Sequence, residues 1–333
     1  MLTEDEVYRH AFASRMFQEW HWFRWHFEHR LRGNNHPFAQ SIVGACVDVV
    51  GYIPNYASAM IDALASIGGR EKHLPHWEQL LQRLCELHVI RHVVTHPWPE
   101  GTRFEWEPTV EGTRTNPELA VHTVDYTLCI EVKAPAIFQH SSKRSQNPTQ
   151  VVARVMPREE LYHLPDAELG ITLPRDNPVK DFLIGSESKF HPFQQQLRPF
   201  FGVLVIVWDD FIHEPISALI HPDCGLFTES SFAMDSMGKR LTFPSINSIV
   251  AIRHLHQLIR ACRGEALADA CRHALDYGRP GEFPFKVYLQ NPDAPEVPAE
   301  ILKCFQASPP HPPMGAEYLP EDLVWWLGNL GAS

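Results

Sequence analysis

The sequence predicts an α/β fold: a mixed central sheet flanked by helices, with a helical N-terminal layer. Three observations carry that expectation. Apolar residues recur at helical spacing through the first third of the chain. After Pro97 and Pro99 the texture changes to short strand-like runs broken by turn residues. Residues 202–208 then form a Val, Leu and Ile run typical of a strand buried on both faces. Helices, a meander of strands, a further helix and a buried strand, in that order, suit a sheet covered on both sides.

Taken in order, Phe12, Met16, Trp20, Phe23, Phe27 and Leu31 recur at steps of three and four, one apolar face of a single helix ending near Gly33. Residues 38–67 read as a second helical stretch, interrupted at Pro54 and closed by Gly68 and Gly69. A third helix begins after Pro75, with Trp77, Leu80, Leu81, Leu84 and His88 on one side. Strands are expected over residues 103–110, 118–121 and 126–133, separated by Gly112, by Asn116-Pro117 and by the polar residues 122–125. Residues 138–148 read as a polar loop, with a helix from Thr149. Residues 157–178 are turn-rich, residues 179–197 helical, and residues 246–262 helical again. Ten of the 28 prolines fall between Pro280 and Pro320, so this segment reads as an extended arm with a short strand at residues 285–289. The chain thus divides into a helical layer over residues 1–73, a core over 74–262, and a helix plus proline-rich arm over 263–333.

A chain of 333 residues can bury a full core as one large domain or two ordinary ones. Hydrophobic residues at 44% and charged residues at 21% exclude disorder as the main state. The longest apolar run, near residues 200–208, is too short for a bilayer, and the start Met-Leu-Thr-Glu-Asp-Glu has neither a basic leader nor an apolar signal core. Seven cysteines, an odd count without a CxxC, argue for reduced thiols. A cytoplasmic protein with no membrane partner is expected. No GxSxG elbow, Walker-type loop, GxGxxG or HExxH is present.

The chemistry-bearing stretch is Asn116-Pro117-Glu118-Leu119, followed thirteen positions after Glu118 by Glu131-Val132-Lys133. In a strand, Leu128, Ile130 and Val132 face one way while Cys129, Glu131 and Lys133 face the other. If Glu118 lies on the strand paired through the turn at residues 122–125, its carboxylate can approach that of Glu131. Two converging carboxylates suit a hard divalent cation such as Mg2+, with Mn2+ as a substitute. A neighbouring ammonium can orient water and stabilise charge building on a phosphate.

This arrangement resembles the PD-(D/E)xK nuclease superfamily, where an acid on one strand and an acid-x-Lys on the next hold the catalytic metal. Pro117-Glu118 stands at the Pro-Asp position, and Glu131 with Lys133 at the acid-x-Lys. Residues 150–154, Gln-Val-Val-Ala-Arg on the expected following helix, are similar to the QxxxY element of the exonuclease and helicase-nuclease branches. The likeness spans about residues 75–208. Glu replaces Asp at 118, which keeps a carboxylate on a longer arm, and Arg replaces Tyr at 154, which leaves the branch open. The resemblance implies a restriction-endonuclease-like core and Mg2+-dependent phosphodiester hydrolysis, with DNA as the substrate. Glu118 and Glu131 would bind the metal, Lys133 assist the water, and Gln150 orient water or substrate. The competing expectation is a catalytically inactive nuclease-fold scaffold or binding module.

Glu86 resembles the first-helix glutamate that many members of that superfamily point at the metal, although on a helical wheel it falls opposite Leu80, Leu81 and Leu84, where a solvated acid would sit. Asp125 is a lesser substitute for Glu118. A second acid-x-Lys, Glu187-Ser188-Lys189, lies in a helical segment where i and i+2 do not face each other, and reads as a decoy. Residues 132–158 hold Lys133, Lys143, Arg144, Arg154 and Arg158 with no acid, a strip that could track a nucleic-acid backbone. The formal charge of −11 is therefore segregated, and does not exclude a nucleic-acid partner. Trp22 and Trp25 lie off the apolar stripe and could stack on bases or pack on another helix. His26 and His29, at i and i+3, are a lesser candidate for a metal pair. Double-strand cutting by a one-site chain would suit a homodimer.

Overall fold

The computed structural model describes residues 2–69, 73–113, 115–151, 158–231 and 233–310. In chain order the helices and strands are α1 (Glu4–Ala13), α2 (Arg15–Gln18), α3 (Arg24–Leu31), α4 (Pro37–Val50), α5 (Tyr56–Ser66), α6 (Leu74–Thr95), β1 (Arg103–Trp106), β2 (Leu119–His122) and β3 (Thr127–Lys133). They continue as α7 (Ile137–Gln146), β4 (Thr149–Gln150), α8 (Arg158–Leu161), β5 (Ile171–Thr172), α9 (Pro178–Gln196), β6 (Phe200–Trp208), α10 (His213–Ile220), β7 (Ser248–Arg253), α11 (Leu255–Cys262), β8 (Lys286–Gln290) and α12 (Ala299–Phe305).

Six strands make one mixed sheet in the order β1-β2-β3-β6-β7-β8. A parallel trio, β3-β6-β7, lies at its centre, and β1, β2 and β8 join antiparallel at the edges. Alternation divides each central strand between two layers. Leu128, Ile130 and Val132 of β3, with Val203, Val205 and Val207 of β6, join one core with α1 to α6, α11 and α12. Cys129, Leu204, Ile206 and Trp208 join the other with α9 and α10. The helices of residues 1–73 thus share their core with the sheet. No helix among the described residues is long and apolar enough to cross a membrane.

Several expectations need correction. The stripe from Phe12 to Leu31 does not lie on one helix. Ser14 takes an extended backbone and its Oγ donates to Ala11 O at 2.6 Å, which ends α1; the chain is non-helical again between α2 and α3. Met16, Phe23 and Phe27 are fully buried, but Trp20 and Leu31 are 65% and 63% exposed. Short helices wrapping one core reproduced the spacing of a long one. Trp22 stacks on Trp77 with ring centroids 4.7 Å apart, which gives it a packing role.

Residues 138–148 were expected as a loop and mostly form α7. No residue of this helix is buried, so no periodic apolar signal exists to read. The helix expected from Thr149 is instead β4, which pairs in parallel with β5 as a separate two-stranded sheet. Residues 246–262 divide into β7 and α11: Ser248–Arg253 is buried between β6 and β8, and a short apolar run does not distinguish a buried strand from a buried helix. The expected first strand stops at Trp106 because Glu107 adopts φ +47°, outside the strand region. The proline-rich arm is integral to the fold where it is described: β8 closes a sheet edge and α12 packs on the first core.

Candidate active site

The register of β2 on β3 pairs Leu119 with Ile130, and one step further places Glu118 opposite Glu131. Glu118 lies just before the strand, yet its backbone N–H still donates to Ile130 O at 2.9 Å. Glu131 and Lys133 share the α9-facing side of β3 with Cys129, as strand alternation requires. Glu131 is fully buried and Glu118 is 8% exposed. The Lys133 ammonium lies 2.5 Å from Glu131 Oε1.

A second ammonium reaches the same oxygen. Lys189 Nζ lies 2.6 Å from Glu131 Oε1 and 3.6 Å from Glu118 Oε1. It belongs to the tripeptide that reads as a decoy. Glu187 and Lys189 do not face each other, as their i, i+2 spacing on a helix requires: Glu187 turns away to accept from Ser245 N and Oγ at 2.9 and 2.8 Å, and Lys189 reaches the acids without it. Leu183, Ser186, Phe190 and Phe193 form the buried stripe of α9, and Lys189 borders that stripe, which points it at the sheet.

Glu86 is also not the solvated acid that the helical wheel suggested. It is 3% exposed, its Oε2 accepts from Arg83 Nη1 at 2.6 Å, and its Oε1 accepts from Gln82 Nε2 at 3.2 Å. Burial raises its carboxyl pKa above the ordinary value, although Arg83 and Gln82 pull it down and Glu131 pushes with burial. Burial likewise pushes Glu118 up to about 8, with Glu86 and then Glu131 adding repulsion against the pull of Lys189 and Lys133. Three carboxylates from α6, the start of β2, and β3 therefore sense one another.

Gln82, which the sequence reading did not single out, fixes α6 to the end of β3. Its Oε1 accepts from Ala134 N and its Nε2 donates to Val132 O, both at 2.8 Å. A cleft of about 520 Å³ opens beside it, lined by Glu78, Gln82, Arg83, Glu86, Ala134 and Gln139. It lies past the carboxyl end of β3, the end of a parallel strand where ligands of α/β sheets gather.

Other expected residues are not drawn in. Gln150 is exposed on β4 and its amide donates to Arg144 O at 2.9 Å; its place on a strand of the small sheet removes the geometry assumed for a following helix. Lys143 and Arg144 are exposed on α7, Arg158 opens α8, and Arg154 lies outside the described residues. Asp125 sits in the turn before Thr127, at the opposite end of β3 from Glu131. The ring of His36 lies between those of His26 and His29, at 4.8 and 5.1 Å. Among the described residues, however, only Asp210, His256 and Asp269 bring three ligand atoms within 4.8 Å of one another. Arg253 already pairs with both acids of that group, at 2.5 and 2.7 Å.

The acid cluster fits a hard divalent cation on two grounds. Its donors are carboxylate oxygens, the ligand type such ions take. Glu131 Oε2 is moreover buried without a hydrogen-bond partner among the described residues, a polar atom left for something to satisfy. No family model, curated protein or solved structure matches the chain. Motif and geometry therefore stand by themselves.

Proposed function

We propose that this chain is a cytoplasmic, restriction-endonuclease-like nuclease that hydrolyses phosphodiester bonds in DNA with Mg2+, or Mn2+ in its place. The observation that carries this reading is the cross-strand pairing of Glu118 with Glu131, next to Lys133 on one face of β3. Glu118 and Glu131 would hold the ion, with Glu86 supporting them from α6. When bound, it supplies Lewis acidity toward the phosphodiester and an activated water. Lys133 directs its ammonium protons at that water or at a phosphate oxygen on which charge builds. Lys143 and Arg144, exposed on the helix that follows β3, neutralise flanking phosphates. Gln150 is not needed in this scheme, and a homodimer would supply the second site for a double-strand cut.

The test is incubation of plasmid and single-stranded DNA with Mg2+, comparing wild type with Glu131→Ala and Lys133→Ala. Wild type should cut, and each variant should lose about 10²-fold or more, the scale of losing one charge-stabilising group. Equal cleavage by all three would place the activity elsewhere. A second reading, an inactive scaffold on the same fold, is favoured by one fact: Glu131 Oε1 is already paired with both Lys133 and Lys189. Absence of cleavage by any of the three would support it.

A further inference from the structure

Lys189 stands where a bridging cation would stand, in contact with Glu131 Oε1 and within ion-pair distance of Glu118 Oε1. The other basic groups of the cluster are each committed to one acid of it. Arg83 serves Glu86, and Lys133 serves Glu131. Glu118 forms its one ion pair among the described residues with Lys189. A buried carboxylate without a compensating charge is strongly disfavoured, so an ammonium here offsets the repulsion among three acids.

The same arrangement is uneven. Two like charges share Oε1 of Glu131 while Oε2 has no partner among the described residues. Lys133 comes from the strand that carries Glu131 and pairs with that acid. Lys189 reaches in from α9 on a flexible stem to both acids, and with a side chain 20% exposed, against 26% for Lys133, it too has a path to solvent. A divalent ion would concentrate on one centre the charge that two ammoniums now deliver from two, and could take oxygens from both acids.

We infer that Lys189 is a resident counter-ion of the acid cluster, which keeps the place between Glu118 and Glu131 and gives it up when a divalent cation binds. This rests on the metal-dependent reading above and adds a competition to it. Lys189 lowers the cation affinity of the site while keeping the cation-free fold intact.

The experiment is titration of the full chain with Mn2+ by calorimetry, for wild type, Lys189→Met, Lys189→Arg and Lys133→Met. Lys189→Met should bind Mn2+ about tenfold tighter than wild type or better, the equivalent of about 1.4 kcal/mol. Lys189→Arg, which keeps the charge, should not tighten. Lys133→Met leaves the bridging ammonium in place and should gain less than Lys189→Met. Equal or weaker binding by Lys189→Met, with wild type still binding Mn2+, overturns the counter-ion role alone. No Mn2+ binding by any of the four overturns the metal reading and this inference together. If Lys189→Met is unfolded in chelator, Mn2+ should restore its far-UV circular dichroism, because the ion then takes over the lysine's place; failure to restore it counts against the inference.

Discussion

The imidazole rings of His88 and His254 stack face to face, 4.0 Å apart and 1° from parallel. His88 comes from α6 and His254 from the junction of β7 with α11, so the pair joins two elements of the first core. One turn further along α6, His92 stacks on Tyr277 at 3.3 Å. Burial is the largest influence on all three histidines and holds them uncharged, His254 at about 4, His92 at about 3 and His88 well below 6.5. Of the charged neighbours, Lys286 and Arg91 disfavour a positive charge on His88 and His92, and Asp276 favours one on His254.

That arrangement sets a pH dependence. In the unfolded chain these histidines protonate near 6.5, while the folded chain resists until well below that. The fold is fully stabilised above that pH and loses about 1.4 kcal/mol per pH unit for each such histidine as pH falls toward the folded values. Thermal unfolding followed from about pH 7.5 down to about pH 4.5 should show a progressive fall in Tm. His254→Asn should make that fall shallower. A Tm unchanged over the range would contradict this account.

Gln82 predicts a stability effect with a backbone signature. Gln82→Ala leaves Ala134 N–H and Val132 O without their side-chain partner at the end of β3. The cost should be about 1–3 kcal/mol by urea unfolding. Amide exchange at Ala134 should speed up more than exchange within β6. A uniform change across the sheet would argue against a local tie.

Two glycines separate packing from propensity. A Cβ on Gly202 would lie 2.2 Å from Ser245 O and 2.7 Å from the Phe190 ring, so Gly202→Ala must push β6 away from the backbone at Ser245 and displace the Phe190 ring of α9. A loss of about 1–3 kcal/mol is expected. Gly185, inside α9, has open space around the same addition, and Gly185→Ala should stabilise by about 0.5–1 kcal/mol. Urea midpoints for the two variants should move in opposite directions.

Loss of Glu131 removes the shared partner of two ammoniums. In cation-free buffer Glu131→Ala leaves Lys133 and Lys189 without that carboxylate, and about 3–5 kcal/mol of stability should go with it. Adding Lys189→Met to that variant should recover part of the loss. Simple additivity of the two substitutions would mean that the residues are not coupled.

The strands were legible because their signals are local. Leu128, Ile130 and Val132 alternate with Cys129, Glu131 and Lys133, and that alternation fixes which side of the sheet each side chain takes. The same logic, with the turn at residues 122–125, set Glu118 against Glu131. Three features escaped it for physical reasons. α7 rests on the first core only through the partly buried Ile137 and Phe138 at its start, so the rest of its sequence resembles a loop. β7 is apolar without alternation from Ile249 to Ile252, which a helix matches equally well. Lys189 and Glu86 reach the cluster through tertiary packing of α9 and α6, and a wheel drawn for one helix does not know which neighbour it meets. Glu86 in particular falls off its helix's leucine face and is buried all the same.

Parallel pairing of β3 with β6 joins Thr127 to Phe200, so the intervening chain must be made before the centre of the sheet can close. Antiparallel β2 and β3 can form a hairpin earlier, bringing Glu118 and Glu131 together while both are still wet. Burial of Glu131 and arrival of Lys189 come later and together, since α9 immediately precedes β6. A ribosome-bound chain that stops short of α9 therefore carries the acid pair without the element that seals it.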